Sequence, residues 1–134
     1  MRHRRHLAWW AMTLIASSGC VGRCGEDSRA TVAVPWDRIR SAEARQRGRE
    51  LYVHYCVLCH GEHADGRGVR SMGLDRQPAD FTNRQWSAAD APARAYRAIR
   101  EGVSGTPMPS WNALSETESW DLVAYLVSVS TRGT

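Results

Sequence analysis

The segment Cys56-Val57-Leu58-Cys59-His60 carries the most specific information in this 134-residue sequence. Its two thiols stand three residues apart and an imidazole follows at once, directly after a stretch whose apolar spacing predicts a helix. Side chains in this arrangement can bind a metal ion, form a disulfide, act as a redox dithiol or attach a prosthetic group. Residues elsewhere in the chain distinguish between these uses.

The spacing of these side chains matches one edge of a porphyrin ring. Each thiol can add across a haem vinyl group, and the imidazole can then approach the iron from the same side. We therefore expect one covalently bound haem c, attached through Cys56 and Cys59, with His60 as an axial ligand of its iron.

A proline-flanked loop, Gly105-Thr106-Pro107-Met108-Pro109, contains the candidate for the second axial ligand, Met108. The prolines stiffen the backbone around the thioether, and haem iron in electron-transfer sites often takes methionine opposite histidine. A lone methionine usually packs in a core, but this loop setting argues against that role. The alternatives are an open sixth site or ligation by Met72, His54 or His63.

Zinc is the first rival of haem, because Cys56, Cys59, His60 and His63 all carry suitable ligand atoms. Four ligands so close together in sequence would be cramped, and no second pair of ligands follows them. A thioredoxin-like dithiol is the second rival, but it requires a βαβ context that this sequence does not show. An ordinary buried cysteine pair or disulfide is the third. All three remain weaker than the haem hypothesis.

The first 40 residues predict export followed by a flexible connection. Residues 1–19 combine a basic start, an apolar run and small residues, which is typical of a secretory or lipoprotein signal peptide. Residues 20–40 show neither a helical nor a strand period and predict a tether. Cys20 is either an acylated lipoprotein cysteine or an ordinary residue of the mature chain, and Cys24 either pairs with it or stays single.

The net charge of +4 does not indicate a nucleic-acid partner. Removing the leader takes away Arg2, Arg4 and Arg5, which leaves 15 of the 18 basic residues against 14 acidic ones. The remaining arginines alternate with Asp and Glu and form no basic block. We therefore expect no binding to nucleic acid.

Residues 41–130 form the predicted folded domain, and its main helices can be located from their caps. The first runs from Ser41 to about Tyr55. The second starts at Asp90 and ends at Gly102, with Tyr96, Ile99 and Val103 as its expected buried stripe. A capping box of Ser115 and Glu118 opens the last helix, which is apolar on most sides. Because no strand pattern is visible, the fold class is all-α.

An ordered set of motifs extends from about Arg47 to Val129. It consists of Gly48 and Tyr52, Cys56-x-x-Cys59-His60-Gly61, Gly66-x-Gly68, Pro78-x-Asp80-Phe81, Tyr96-x-x-Ile99-x-x-Gly102, Gly105-Thr106-Pro107-Met108-Pro109 and Trp120-x-Leu122-Val123-x-Tyr125-Leu126. With these motifs the sequence resembles a class I monohaem cytochrome c, a type that also occurs as the haem subunit of cbb3-type oxidases and in other bacterial respiratory complexes.

The resemblance implies a cytochrome c fold of three to five helices around the haem, with the first and last helices crossing near a right angle. Gly48 is expected to allow the close approach at that crossing, against Leu122 and Tyr125, because it has no side chain. The family role of Pro78, a backbone carbonyl offered to the proximal imidazole, stays open. This proline lies further from His60 than its counterpart in mitochondrial-type cytochromes.

The expected function is that of an exported electron carrier and not of an enzyme. Its partners would be redox proteins such as an oxidase, a dehydrogenase or another respiratory complex. Its location would be the periplasm or the outer face of the cytoplasmic membrane, with a lipid anchor if Cys20 is acylated. The alternatives are a peroxidase-like haem enzyme and a haem-based sensor, both of which need an open or weakly closed sixth site.

Overall fold

Five α-helices and one short 3-10 helix make up the regular structure of residues 31–131, the part of the chain that the computed structural model describes. The elements are α1 (Trp36–Arg40), α2 (Ala42–Tyr55), α3 (Val57–His60), the 3-10 helix (Arg84–Ser87), α4 (Ala91–Glu101) and α5 (Glu116–Ser130). Within the described residues there is no strand, so the all-α fold class is confirmed. The predicted leader, Cys20 and Cys24 lie outside these residues.

Local capping chemistry explains where the main helices begin. The Ser41 hydroxyl accepts a hydrogen bond from the Ala44 amide at 3.2 Å, and this satisfies one free N–H group of α2. Ser115 and Glu118 form the predicted capping box at the start of α5. Asp90 stands at the N-cap position of α4, but its side chain makes no capping bond and pairs with Arg94 at 3.1 Å instead.

Helices α2 and α5 approach each other most closely at Gly48. A Cβ atom added there would lie only 2.5 Å from the carbonyl carbon of Asp121 and 3.0 Å from the amide nitrogen of Leu122. The predicted close approach is therefore confirmed. Gly48 meets the backbone of Leu122, as expected, but its second neighbour is the backbone of Asp121 and not Tyr125. Tyr125 instead packs against Tyr52, one turn further along α2, with ring centroids 5.1 Å apart.

Most of α5 is buried, as its apolar sequence predicts. Residues 119–126 are buried without interruption, so the helix is covered on more than one side. The ring of Trp120 stacks on Tyr96 of α4 at 4.1 Å, which joins these two helices. The predicted stripe of α4 is only partly right. Ile99 is buried, but Val103 follows the last helical turn and is 36% exposed.

The packed chain starts before Ser41, which corrects the predicted extent of the tether. Helix α1 lies inside the segment 20–40, and its Ile39 is buried in the same core as α2 and α5. Arg38 also donates a hydrogen bond to the Asp121 carboxylate at 2.6 Å. The single turn of α1 is too short to produce a recognisable apolar period, so the sequence pattern did not reveal it.

Asp121 is a buried carboxylate that joins three helices. Its side chain is 2% exposed and receives Arg38 from α1 and Arg47 from α2, the latter at 2.7 Å. A buried carboxylate without partners is very costly, and the hydrogen bonds from these two arginines offset that cost. No helix in this part of the chain combines the length and the apolar character that crossing a membrane requires.

Candidate functional site

A cavity of about 290 Å³ opens between the helices and brings together the predicted site residues. Cys56, Cys59, His60 and Met108 all line it, although Met108 is far from the other three in sequence. Apolar side chains form much of the remaining wall, among them Leu74, Phe81, Ile99, Leu122 and Leu126. No Asp or Glu is among the lining residues.

The two thiols lie where α2 gives way to α3. Cys56 is the residue between the helices, and Cys59 lies one turn on, within α3. Both are half-buried and neither forms a disulfide, which argues against the disulfide alternative. Burial raises the pKa of the Cys56 thiol to about 12, and the neighbouring Cys59 adds to this effect. Without a haem this thiol would therefore be protonated at neutral pH.

The loop after His60 holds the thiol segment in shape. The amide of Gly68 donates to the Cys59 carbonyl at 3.2 Å, and the amide of Arg70 donates to the Leu58 carbonyl at 2.8 Å. A Cβ atom at Gly68 would lie 2.6 Å from the carbonyl carbon of Cys59, so only glycine allows the two backbones to come so close. This close approach explains the second glycine of the Gly66-x-Gly68 motif, Gly68.

The imidazole of His60 is oriented by a backbone carbonyl and an aromatic ring. Its Nδ1 lies 3.3 Å from the carbonyl oxygen of Ala79, and its ring centroid lies 5.1 Å from that of Phe81. Because a carbonyl only accepts, Nδ1 carries the proton and Nε2 keeps its lone pair for a metal. Burial lowers the pKa of His60, against the opposing effect of the Ala79 carbonyl. The neutral form suits a ligand.

The carbonyl beside His60 belongs to Ala79, and not to Pro78 whose role the sequence left open. The carbonyl of Pro78 instead faces Gly66, where an added Cβ atom would lie 2.5 Å from its oxygen. The two residues are neighbours, and the direction of a loop carbonyl depends on backbone torsions that motif spacing does not encode.

The methionine loop is fixed at both of its ends. The Val103 amide donates to the Met108 carbonyl at 3.1 Å, and the Met108 amide donates to the Thr106 hydroxyl oxygen at 3.2 Å. Beyond the loop, the Trp111 amide donates to the Ile99 carbonyl at 2.8 Å. These bonds hold the half-buried Met108 at the cavity wall.

The other candidate ligands lie outside the cavity. Met72 is 81% exposed, and His54 and His63 are exposed as well. None of the three lines the cavity. Within residues 31–131 there is also no cluster of three or more His, Cys, Asp or Glu side chains that could hold a metal ion. The four side chains that the zinc alternative requires are therefore not gathered around one point.

Two tryptophans and an arginine on the cavity wall were missed by sequence reasoning. Trp86 and Trp111 line the cavity, and the buried Nε1 atom of each has no hydrogen-bond partner among the described residues. Arg76 lines it too, with an exposed side chain. An unsatisfied buried N–H group costs about 1–3 kcal/mol. The only sequence signal was the position of Trp111 just after the methionine loop.

Comparison with known proteins places this fold and site in context. The family model described as cytochrome c oxidase, cbb3-type, subunit III matches residues 43–126. The cbb3-type cytochrome c oxidase subunit CcoP of Azospirillum brasilense is 31% identical over 75 residues, which is 56% of this chain and 24% of that protein. A chain of the Kuenenia stuttgartiensis reducing HAO-like protein complex is 28% identical, with a TM-score of 0.59. That match covers 66% of this chain and 44% of the other.

Together, the helical fold and these matches define a cytochrome c domain, which implies electron transport with a haem. The cavity fits that cofactor, because two thiols, an imidazole and a thioether share its wall. The chain belongs to the family of cytochrome c oxidase, cbb3-type, subunit III. It spans less than half the length of either matched protein.

Proposed function

We propose that the protein is an exported c-type cytochrome that passes single electrons between respiratory partners through one haem c. In this proposal Cys56 and Cys59 hold the haem covalently, and His60 and Met108 ligate its iron. The observation that carries the proposal is that a proline-flanked methionine and the Cys-x-x-Cys-His motif line one cavity. A bound haem c would supply reversible one-electron chemistry at its iron.

The residues around the site prepare it for fast electron transfer. The Ala79 carbonyl holds the imidazole of His60 in one orientation, so this ligand does not need to reorganise. The hydrogen bonds of the methionine loop do the same for Met108. Apolar side chains such as Phe81 and Leu122 exclude water, which favours a raised reduction potential. Nothing in this arrangement requires a bond of a substrate to be broken.

Covalent attachment is tested by denaturation. The purified protein should keep its haem absorbance on the polypeptide in a denaturing gel, and the double variant Cys56→Ala/Cys59→Ala should lose it. Haem that separates from the wild-type chain would refute the covalent assignment. Stoichiometric zinc in place of haem would instead support the metal-site alternative.

Ligation by Met108 is tested with a matched pair of methionine variants. Met108→Ala should abolish the red sulfur-to-iron charge-transfer band, lower the reduction potential and let carbon monoxide bind, because the soft ligand that stabilises ferrous iron is removed. Met72→Ala removes an exposed thioether outside the cavity and should change none of these properties. Wild-type protein that already binds carbon monoxide readily would favour the enzyme or sensor alternative.

We further propose that the electron partner belongs to a membrane-bound respiratory complex, such as an oxidase. The support for this is the family and the name of the Azospirillum relative, a subunit of a cbb3-type oxidase. The site would then face the periplasm. If Cys20 is acylated, the protein should sediment with membranes, and Cys20→Ser should release it to the soluble exported fraction. Wild-type protein that is already found in the soluble exported fraction would exclude the lipid anchor.

A further inference from the structure

A stripe of basic and aromatic side chains extends over α1 and the first half of α2. The guanidinium of Arg40 lies 5.7 Å from the ring centroid of Trp36, and the guanidinium of Arg45 donates a hydrogen bond to the Arg40 carbonyl at 2.7 Å. Arg49 follows one turn after Arg45 on the same face of α2. These four residues, Trp36, Arg40, Arg45 and Arg49, form the N-terminal basic surface.

The charges of the N-terminal basic surface are open to solvent and are not neutralised by neighbours. All four of its residues are exposed. None of its three arginines forms an ion pair within residues 31–131. Of the acidic residues on α1 and α2, Glu43 and Glu50 accept hydrogen bonds from uncharged side chains, and Asp37 belongs to no ion pair in the same described range. The surface is therefore free to bind an anionic partner.

Charge is distributed unevenly over the described domain. Residues 36–49 contain five arginines and two acidic residues, which gives a net charge of +3. Residues 50–131 contain seven arginines and ten acidic residues, which gives a net charge of −3 with histidine neutral. The N-terminal basic surface is therefore the positive end of an otherwise acidic domain. A charge distribution of this kind turns its positive end towards an extended anionic surface.

The position of this surface in the chain indicates which anionic surface it meets. It stands at the start of the described domain, directly after the segment that contains Cys20. An extended chain covers at most about 3.6 Å per residue, so a lipid on Cys20 would keep Trp36 within about 60 Å of a bilayer. An exposed indole beside guanidinium groups suits the bilayer interface, where amphipathic rings lie among the headgroups and cations pair with phosphates.

We propose that the N-terminal basic surface binds the headgroups of an anionic lipid bilayer. Trp36 places its exposed ring at the interface, and Arg40, Arg45 and Arg49 pair with lipid phosphates. The thiols lie beyond the other end of α2, about 16 Å along the helix from Arg45, so the bound domain keeps the thiol end of its cavity away from the lipid. This contact goes beyond the proposed electron transfer and requires neither haem nor acylation of Cys20.

Sedimentation with lipid vesicles tests this contact without a lipid anchor. The exported Cys20→Ser protein should sediment with phosphatidylcholine vesicles that contain about 30% phosphatidylglycerol, and it should stay in solution with phosphatidylcholine alone. Because the attraction is electrostatic, about 0.5 M salt should release the protein. The bound fraction is read from the protein band on a gel. A wild type without haem would therefore refute the haem assignment and leave this measurement intact.

Two double variants with the same loss of charge separate this surface from net charge. An arginine near an anionic bilayer strengthens binding about fivefold, so Arg45→Gln/Arg49→Gln should bind about 25-fold more weakly. Arg67→Gln/Arg70→Gln is the matched control, because both arginines are exposed on the loop after α3, and it should weaken binding about twofold or less. Trp36→Ala should weaken binding roughly tenfold, since it removes the exposed part of the indole.

Equal binding by the two double variants would overturn the proposal, because net charge and not this surface would then govern binding. Failure of the Cys20→Ser protein to bind the anionic vesicles at low salt would overturn it too. If Arg45→Gln/Arg49→Gln then slowed electron exchange with detergent-solubilised membranes, the surface would belong to an acidic protein partner instead. Both of these arginines are exposed on α2, so the test stands even if Trp36→Ala detaches α1.

Discussion

Replacing Gly48 with alanine probes the contact that sets the distance between α2 and α5. The added methyl carbon would lie 2.5 Å from the Asp121 carbonyl carbon, about 0.9 Å short of the 3.4 Å at which ordinary contact begins. It would lie even closer to the carbonyl oxygen. The obstacle is backbone and cannot rotate away, so α2 has to move outward. Such a movement also loosens the Tyr52 and Tyr125 pair one turn away.

Two opposing contributions determine the size of the effect. Overpacking against a rigid neighbour costs about 1–3 kcal/mol, and the backbone obstacle places this site at the upper end. Alanine in place of glycine inside a helix returns about 1 kcal/mol. We expect a net loss of about 2 kcal/mol in the free energy of unfolding. For a domain of this size that is a decrease of roughly 8–16 °C in the melting temperature.

Thermal unfolding of the haem-loaded protein, followed by far-ultraviolet circular dichroism, measures this change. Arg49→Ala is the control, since Arg49 is exposed on the same helix and arginine and alanine have similar helix propensities. It should melt within a few degrees of the wild type. A Gly48→Ala protein that melts at or above the wild-type temperature would show that propensity outweighs packing. The proposed reason for the glycine would then be refuted.

Three further changes test other parts of the domain. Asp121→Asn should lower the free energy of unfolding by about 1–3 kcal/mol and speed hydrogen exchange in α1, because two partly exposed arginines lose a buried partner; unchanged exchange would contradict this. Tyr52→Phe should cost about 1–2 kcal/mol in urea unfolding, because its hydroxyl donates to the Gly61 carbonyl at 2.6 Å; Tyr55→Phe serves as its comparison. The pKa of Glu118 is lowered mainly by its bond with Ser115, so the stability that this carboxylate adds is complete above its ordinary pKa. The advantage of the wild type over Glu118→Gln should therefore vanish as the pH falls through the lowered pKa, and an advantage that persists there would be inconsistent with the capping role.

Local features of this protein could be predicted from the sequence because their causes lie within a few residues. Ser41 and the pair Ser115 and Glu118 begin helices since their side chains satisfy amides in the next turn. The motif Cys56–His60 predicts a haem because its spacing matches the porphyrin edge. Gly48 was identified through the family resemblance, and the reason for it is steric.

Other features arose only when distant segments packed together. Asp121 pairs with Arg38 and Arg47, which stand 83 and 74 residues away along the chain, and nothing near Asp121 indicates these partners. The same holds for α1, whose single turn is stabilised by core contacts and an ion pair. Short helices have little stability of their own, so their existence depends on tertiary packing.

The same distinction between local sequence signals and tertiary contacts applies to the candidate site. The residues expected to attach and ligate the haem could be found from motifs, because their spacing carries the chemistry. The choice of Ala79 over Pro78 beside His60 depends on loop torsions. The place of Trp86 on the wall depends on the packing of the 3-10 helix against α4 and α5, and that of Trp111 depends on its contacts with Tyr55 and Ile99. Sequence alone therefore predicted which groups would attach and ligate the haem, whereas the tertiary structure decided which carbonyl and which indoles lie on the same cavity wall, because those positions are set by contacts between segments far apart in the chain.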